Sequence, residues 1–174
     1  CFLELTEGEP EFLTRELGKG GLFLLRALTK SYALAGLRLG YCLCGDQGLL
    51  ERMERLGPPW PVSAPAQAAG VCALREFPDW PRRCLPFLAQ ERARVTRALE
   101  GLGLWVCPSD ANFLLFQGPL DLGARLLREE NILIRDCANY SGLGPGWYRI
   151  GLQGETENTR LLQALERLLP GRGK

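Results

Sequence analysis

The sequence predicts a layered α/β fold, and three observations carry that reading. Short apolar runs of strand length alternate with longer segments whose leucines recur at helical spacing. Clusters of glycine and proline punctuate them. The 174 residues are 46 % apolar and 24 % charged, enough apolar side chain to build a core in one domain or two small ones.

Residues 1–5 form a short apolar run and 6–10 a polar loop. Residues 21–25, bounded by Gly18, Gly20 and Gly21, read as a buried strand, and 37–44 as a second buried strand ending at Gly45-Asp46. Asp46 is placed to cap a helix through Leu49, Leu50, Met53 and Leu56. Gly57-Pro58-Pro59-Trp60-Pro61 makes a rigid connector, because proline donates no hydrogen bond and restrains the residue before it. Helix resumes over 64–74, three prolines interrupt it over 77–86, and 85–102 reads as a long helix with Leu88, Val95, Leu99 and Leu102 on one stripe.

Past Gly103 the pattern is strand (104–106), strand (112–116), helix (122–130), strand (132–134) and strand (148–152). Thr156 is placed to cap a last helix lined by Leu161, Leu165 and Leu168, with Leu162 and Leu169 beside them. A boundary is expected within 58–70, separating a first piece, 1–60, from a second domain, 61–174.

Composition narrows the chemistry. Lysine and arginine number 21 against 20 aspartates and glutamates, so no net field favours nucleic acid. No run of about 18 uncharged apolar residues offers a membrane span. No charged leader precedes an apolar run, so no signal peptide is expected. Histidine is absent, which removes imidazole acids, bases and metal ligands. The seven cysteines are scattered without a Cys-x-x-Cys pair, and fit reduced, mostly buried thiols of a cytoplasmic protein, with no metal site expected. The chain opens on Cys1 and its single methionine is Met53, so a longer parent polypeptide is expected.

The most informative stretch runs Leu28-Thr29-Lys30-Ser31-Tyr32-Ala33-Leu34-Ala35-Gly36-Leu37-Arg38-Leu39-Gly40-Tyr41. Lys30 and Arg38 stand in a segment otherwise apolar, small or hydroxylic. Desolvation lowers the pKa of an ammonium and makes the amine a nucleophile toward carbonyls. A nearby guanidinium would grip a phosphate as a charged fork. Spacing alone favours two exposed ends of an ordinary loop and strand.

This stretch resembles the lysine signature of the class I/II aminotransferase family of pyridoxal-phosphate enzymes. Its Ser/Thr, Lys, aromatic, Leu, small, Gly, Leu, Arg, branched, Gly order is matched from Thr29 through Gly40. The resemblance implies that Lys30 holds pyridoxal 5′-phosphate covalently, and that Arg38, with Thr29, contacts the cofactor. The family's serine three places before the lysine is Ala27 here, an expected loss of about 1 kcal/mol or somewhat more in cofactor binding.

A second constellation is Ile134-Arg135-Asp136-Cys137-Ala138-Asn139-Tyr140, followed by Trp147-Tyr148-Arg149-Ile150-Gly151-Leu152. Two arginines in or near strands suit an anionic ligand bearing carboxylate and phosphate. Pairing with carboxylates such as Asp136 or Glu155 fits the spacing as well. Here too the residues resemble the family, whose substrate-carboxylate arginine lies in such a Tyr-Arg-Ile strand. The Ile-Arg-Asp-Cys-x-Asn-Tyr run and the Pro59 to Ala64 segment resemble more narrowly the threonine-phosphate decarboxylases of cobalamin biosynthesis, relatives of the histidinol-phosphate aminotransferases. By that resemblance Arg135 and Arg149 contact a phosphorylated amino acid, and Asn112 falls on a recurrent family strand.

The resemblance covers only the second half of the family's length. It implies a fold type I architecture, with 1–60 as the end of the large domain and 61–174 as the small domain. The full-length protein is then expected to be a homodimeric decarboxylase, or alternatively an aminotransferase. The chain alone, without the family's phosphate loop and ring-nitrogen aspartate, is expected to be inactive.

Overall fold

The computed structural model describes residues 1–8, 11, 13, 16 and 21–169; Glu9 and Pro10 of the expected polar loop, and Gly18 and Gly20, lie outside them. The chain forms two compact units, Cys1–Leu85 and Pro86–Lys174. The boundary expected within 58–70 therefore lies inside the first unit.

In that unit β1 (Phe23–Ala27) and β2 (Gly40–Cys44) pair antiparallel, with Phe23 opposite Cys44 and Ala27 opposite Gly40. Both strands were expected to be buried. Leu24 and Arg26 are, but Leu25 is 54 % exposed and no residue of β2 is buried. The reason is the two-stranded sheet, which leaves one face of alternating side chains uncovered. Gly40 is obligatory for this pairing, since a Cβ there would lie 2.6 Å from the Arg26 carbonyl oxygen.

Between the strands run a single helical turn, α1 (Leu28–Ser31), and a 3-10 turn over Ala35–Leu37. Helix α2 (Gln47–Leu56) starts at Asp46, whose Oδ1 accepts from the Leu49 amide at 2.9 Å, as expected of an N-cap. Ser63 likewise opens α3 (Ala64–Glu76). Two contacts within this unit tie α3 and its end to the segment between β1 and β2: the Tyr32 hydroxyl donates to the Phe77 carbonyl at 3.1 Å, and Gly70 leaves room for Leu39.

Helix α4 (Trp80–Gly101) begins earlier than the prolines suggested. Pro81 sits in its first turn, where no intrahelical N–H is needed, and Pro86 removes one bond inside it. The second unit is a four-stranded antiparallel sheet in the order β3 (Trp105–Val106), β4 (Phe113–Gln117), β6 (Trp147–Gly151), β5 (Arg135–Asp136), with α5 (Leu122–Glu130) and α6 (Glu155–Leu168).

Leu114 and Phe116 of β4 pair with Ile150 and Tyr148 of β6 and form the buried face. Val95 and Leu99 of α4, Leu122 and Leu126 of α5, and Leu162, Leu165 and Leu168 of α6 complete the core. Two expectations are corrected here. Strand pairing takes 135–136 rather than 132–134, and Gly154 rather than Thr156 is the N-cap of α6, with no side-chain cap. Leu99 is fully buried. Leu99→Ala should therefore cost about 2–5 kcal/mol in denaturant unfolding, and a loss below about 1 kcal/mol would show a core able to collapse into the gap.

The cysteines are free, as expected, but only Cys137 is buried; Cys1 and Cys72 are exposed and the other four are half-buried. Cys42 and Cys44 lie on the uncovered hairpin strand β2, and Cys72 stands on the outer side of α3. No helix among the described residues is long and apolar enough to cross a membrane.

Candidate active site

In the first unit the signature stretch folds as one hydrogen-bonded hairpin connection. The Leu28 amide donates to the Leu39 carbonyl at 3.1 Å, Leu34 to the Leu28 carbonyl at 3.1 Å, and Ala33 to the Lys30 carbonyl at 3.3 Å. Ala33 and Arg38 adopt left-handed backbone, φ 55° and 54°, which costs a side-chain-bearing residue roughly 1–2 kcal/mol. Such strain persists where the surrounding bonds over-determine the conformation, as they do here.

The cofactor reading called for a desolvated Lys30, and the structure corrects that: the side chain is exposed, as the spacing alone favoured. Leu28 and Ser31, three apart on a single turn, take the inward positions, so Lys30 is left exposed. Its Nζ lies 5.5 Å from the Phe2 ring centroid. Thr29 is half-buried, and Arg38 is exposed with Nη1 donating to the Ala35 carbonyl at 3.0 Å. Tyr32, two places after the lysine, has its phenol pushed up by burial, with the Glu4 charge adding to it.

In the second unit the structure brings two candidates together. Arg135 on β5 and Arg149 on β6 are direct cross-strand partners, and both line a cavity of about 430 Å³. The Arg149 guanidinium lies 5.4 Å from the Phe113 ring. That of Arg135 lies 5.3 Å from the Tyr140 ring and donates to Asn139 Oδ1 at 2.9 Å. Neither arginine makes an ion pair among the described residues; the Asp136 carboxylate is occupied by the Ala138 amide. Like charges facing each other across strands repel. Two guanidinium groups without an ion pair among the described residues thus share one cavity, and that chemistry is able to receive an anion. The expected Asn112 accepts from the Leu152 amide with its backbone carbonyl at 2.9 Å, extending the β4–β6 pairing by one position, while its Oδ1 is buried without a partner among the described residues.

Sequence reasoning missed Glu91. It stands on the inner stripe of α4, three after Leu88 and four before Val95, and an acid at such a position was the available signal. Hydrogen bonds from Arg94 hold its carboxyl below the usual carboxylate range, against the opposing effect of burial.

A hairpin presenting an amine and a guanidinium, joined in the chain to an α+β unit with an arginine-lined cavity, defines the class. The chain belongs to the class I and II aminotransferase family, whose sequence model matches residues 5–168. Pyridoxal 5′-phosphate is the cofactor of that family. The threonine-phosphate decarboxylase of Salmonella typhimurium is 40 % identical over 175 residues, 98 % of this chain and 48 % of its own length. The histidinol-phosphate aminotransferase structure from Clostridium acetobutylicum aligns with a TM-score of 0.88 at 29 % identity, over 97 % of this chain and 52 % of that one. The Sinorhizobium meliloti histidinol-phosphate aminotransferase, solved in complex with pyridoxal-5′-phosphate, aligns at 0.74 and 26 % identity, over 87 % and 42 % of the two chains. The chain thus spans about half the length of the relatives it matches.

The donor set suits the cofactor. A primary amine able to bond an aldehyde (Lys30), a hydroxyl (Thr29) and a guanidinium for a phosphate (Arg38) come from one connected segment.

Proposed function

We propose that this chain is the second half of a pyridoxal-phosphate-dependent decarboxylase acting on a phosphorylated amino acid, with O-phospho-L-threonine as substrate and aminopropanol phosphate and carbon dioxide as products. The observation that carries the reading is the in-register Arg135–Arg149 pair in one cavity without a carboxylate partner. The similarity to a threonine-phosphate decarboxylase adds to it.

In this proposal Lys30 bonds the cofactor, and Arg38 and Thr29 hold its phosphate end. When bound, pyridoxal phosphate supplies a sink for the electrons of a bond broken at the substrate Cα. The residues decide which bond that is. If Arg135 and Arg149 grip the substrate phosphate, its carboxylate is left free to depart. If they grip the carboxylate, the Cα hydrogen is presented instead and amino transfer follows. The chain has no histidine, so Lys30 is its candidate proton carrier. The full-length protein works as a homodimer in the cytoplasm, and the 174-residue chain alone is inactive.

The test is the full-length protein with pyridoxal phosphate and O-phospho-L-threonine. Carbon dioxide release without any 2-oxo acid supports the proposal. Amino transfer from histidinol phosphate that requires a 2-oxo acid, with no carbon dioxide, would replace it by the aminotransferase reading that the C. acetobutylicum structure favours.

A further inference from the structure

Glu91 is 2 % exposed, a carboxylate where burial is costly unless every lone pair is engaged. Its Oε1 accepts from Arg94 Nε at 2.8 Å. Its Oε2 accepts from Arg94 Nη2 at 2.7 Å and from Asn158 Nδ2 at 2.7 Å. Asn158, 4 % exposed, spends the rest of its amide on Gln153: Nδ2 donates to the Gln153 carbonyl and Oδ1 accepts from the Gln153 amide, both at 3.0 Å. Gln153 follows two residues after the end of β6, the strand of Arg149. Gln153, Glu157 and Asn158 all line the cavity that holds the two arginines.

The chemistry of this chain of bonds is directional. An ionised carboxylate only accepts, so Glu91 dictates that Asn158 turns its nitrogen toward α4 and its oxygen toward the Gln153 N–H. A leucine at 91 would fill the helix's inner face as Leu88 and Val95 do, so packing alone does not call for a charge. Glu157, next to Asn158, makes no ion pair with either arginine among the described residues. Its Oε2 folds back toward Gly154, where a Cβ would lie 2.6 Å away. Released from its tether, the 153–158 segment would let that carboxylate compete for the guanidinium groups.

We infer that Glu91 is a positioning residue for the anion cavity: through Asn158 it holds the Gln153–Asn158 turn, and with it the cavity wall beside Arg149, in the anion-accepting arrangement. The inference rests on reading that cavity as the substrate's anion site.

The experiment compares the full-length protein with Glu91→Leu, Asn158→Ala and Leu88→Ala. Leucine at 91 fills the inner face of the helix but accepts from neither Asn158 nor Arg94, so the tether is lost. Asn158→Ala keeps the Glu91–Arg94 pair and removes only the tether. Leu88→Ala loosens the same helix without touching it. The readouts are the dissociation constant for O-phospho-L-threonine by calorimetry and the hydrogen exchange of the Gln153 amide relative to that of Tyr148.

Glu91→Leu and Asn158→Ala should each weaken phosphothreonine binding by at least about tenfold, the factor for one displaced charge-assisted contact. Each should also expose the Gln153 amide to exchange. The double variant should be no worse than either single, as expected of residues acting in series. Leu88→Ala should leave affinity and the Gln153 ratio unchanged. Normal affinity in Glu91→Leu, or an equal loss in Leu88→Ala, overturns the positioning role while leaving the anion site standing. A wild-type protein that does not bind phosphothreonine overturns the anion-site reading itself, and the inference with it.

Discussion

Lys30→Ala is expected to leave the protein folded and to remove covalent attachment of pyridoxal phosphate. The side chain is exposed and lies against the Phe2 ring, and truncations at such positions change stability by about 0.5 kcal/mol or less. Function should respond on another scale. Loss of a positioned proton carrier alone lowers turnover by roughly 10²–10⁴-fold, and here the same residue is proposed to anchor the cofactor. Borohydride reduction of the loaded full-length protein, followed by peptide mapping, should place the added mass on residue 30. The chain's other lysines are Lys19 and Lys174, so a label on either of those, or on none of the three, contradicts the assignment. Equal stability with unchanged turnover in Lys30→Ala would contradict it as well.

Arg149→Gln should produce two changes of opposite sign. Arg149 sits on β6, between β4 and β5, half-buried and backed by Phe113, whereas Arg135 lies exposed on the two-residue edge strand β5. A fixed, partly desolvated guanidinium gives up less entropy on binding an anion than a mobile one. Its removal should therefore weaken O-phospho-L-threonine binding by about 1.5–3 kcal/mol, roughly ten- to a hundredfold, with the smaller loss expected from Arg135→Gln. The same change relieves repulsion across the Arg135–Arg149 pair, so unfolding free energy should rise, by up to about 1 kcal/mol. Calorimetry and urea unfolding on the one variant check both. Weaker binding accompanied by lower stability would mean that the guanidinium serves the fold rather than the ligand.

How much could be read from the chain before any coordinates differs between the two candidate sites. The Lys30 segment was legible as a motif because its spacing is local: residue identities over a dozen positions, Gly40 among them, meet the steric demands of one hairpin connection. Its solvent exposure was not legible. Burial depends on which residues of α1 turn inward, and Leu28 and Ser31 hold those positions. The helix capped by Asp46 and the α5 span were readable for the same reason, since caps and apolar stripes are short-range features. Where one residue type could serve two purposes, local reading failed. Thr156 had the chemistry of a cap, yet Gly154 starts α6, and prolines that looked like breakers are accommodated in α4.

Arg135 and Arg149 were nameable from the sequence as candidates for an anion, but their opposition across β5 and β6 was not, because register between residues of two separate strands is a property of the sheet. The link from Glu91 to Asn158 spans 67 positions and left only an acid on an apolar stripe as its trace. Primary structure therefore settled the family signature, the helices and the kinds of charged group available. Which of those groups face water, and which face each other, was decided by packing and strand pairing, since desolvation and Coulomb forces act over ångströms rather than over positions in a chain.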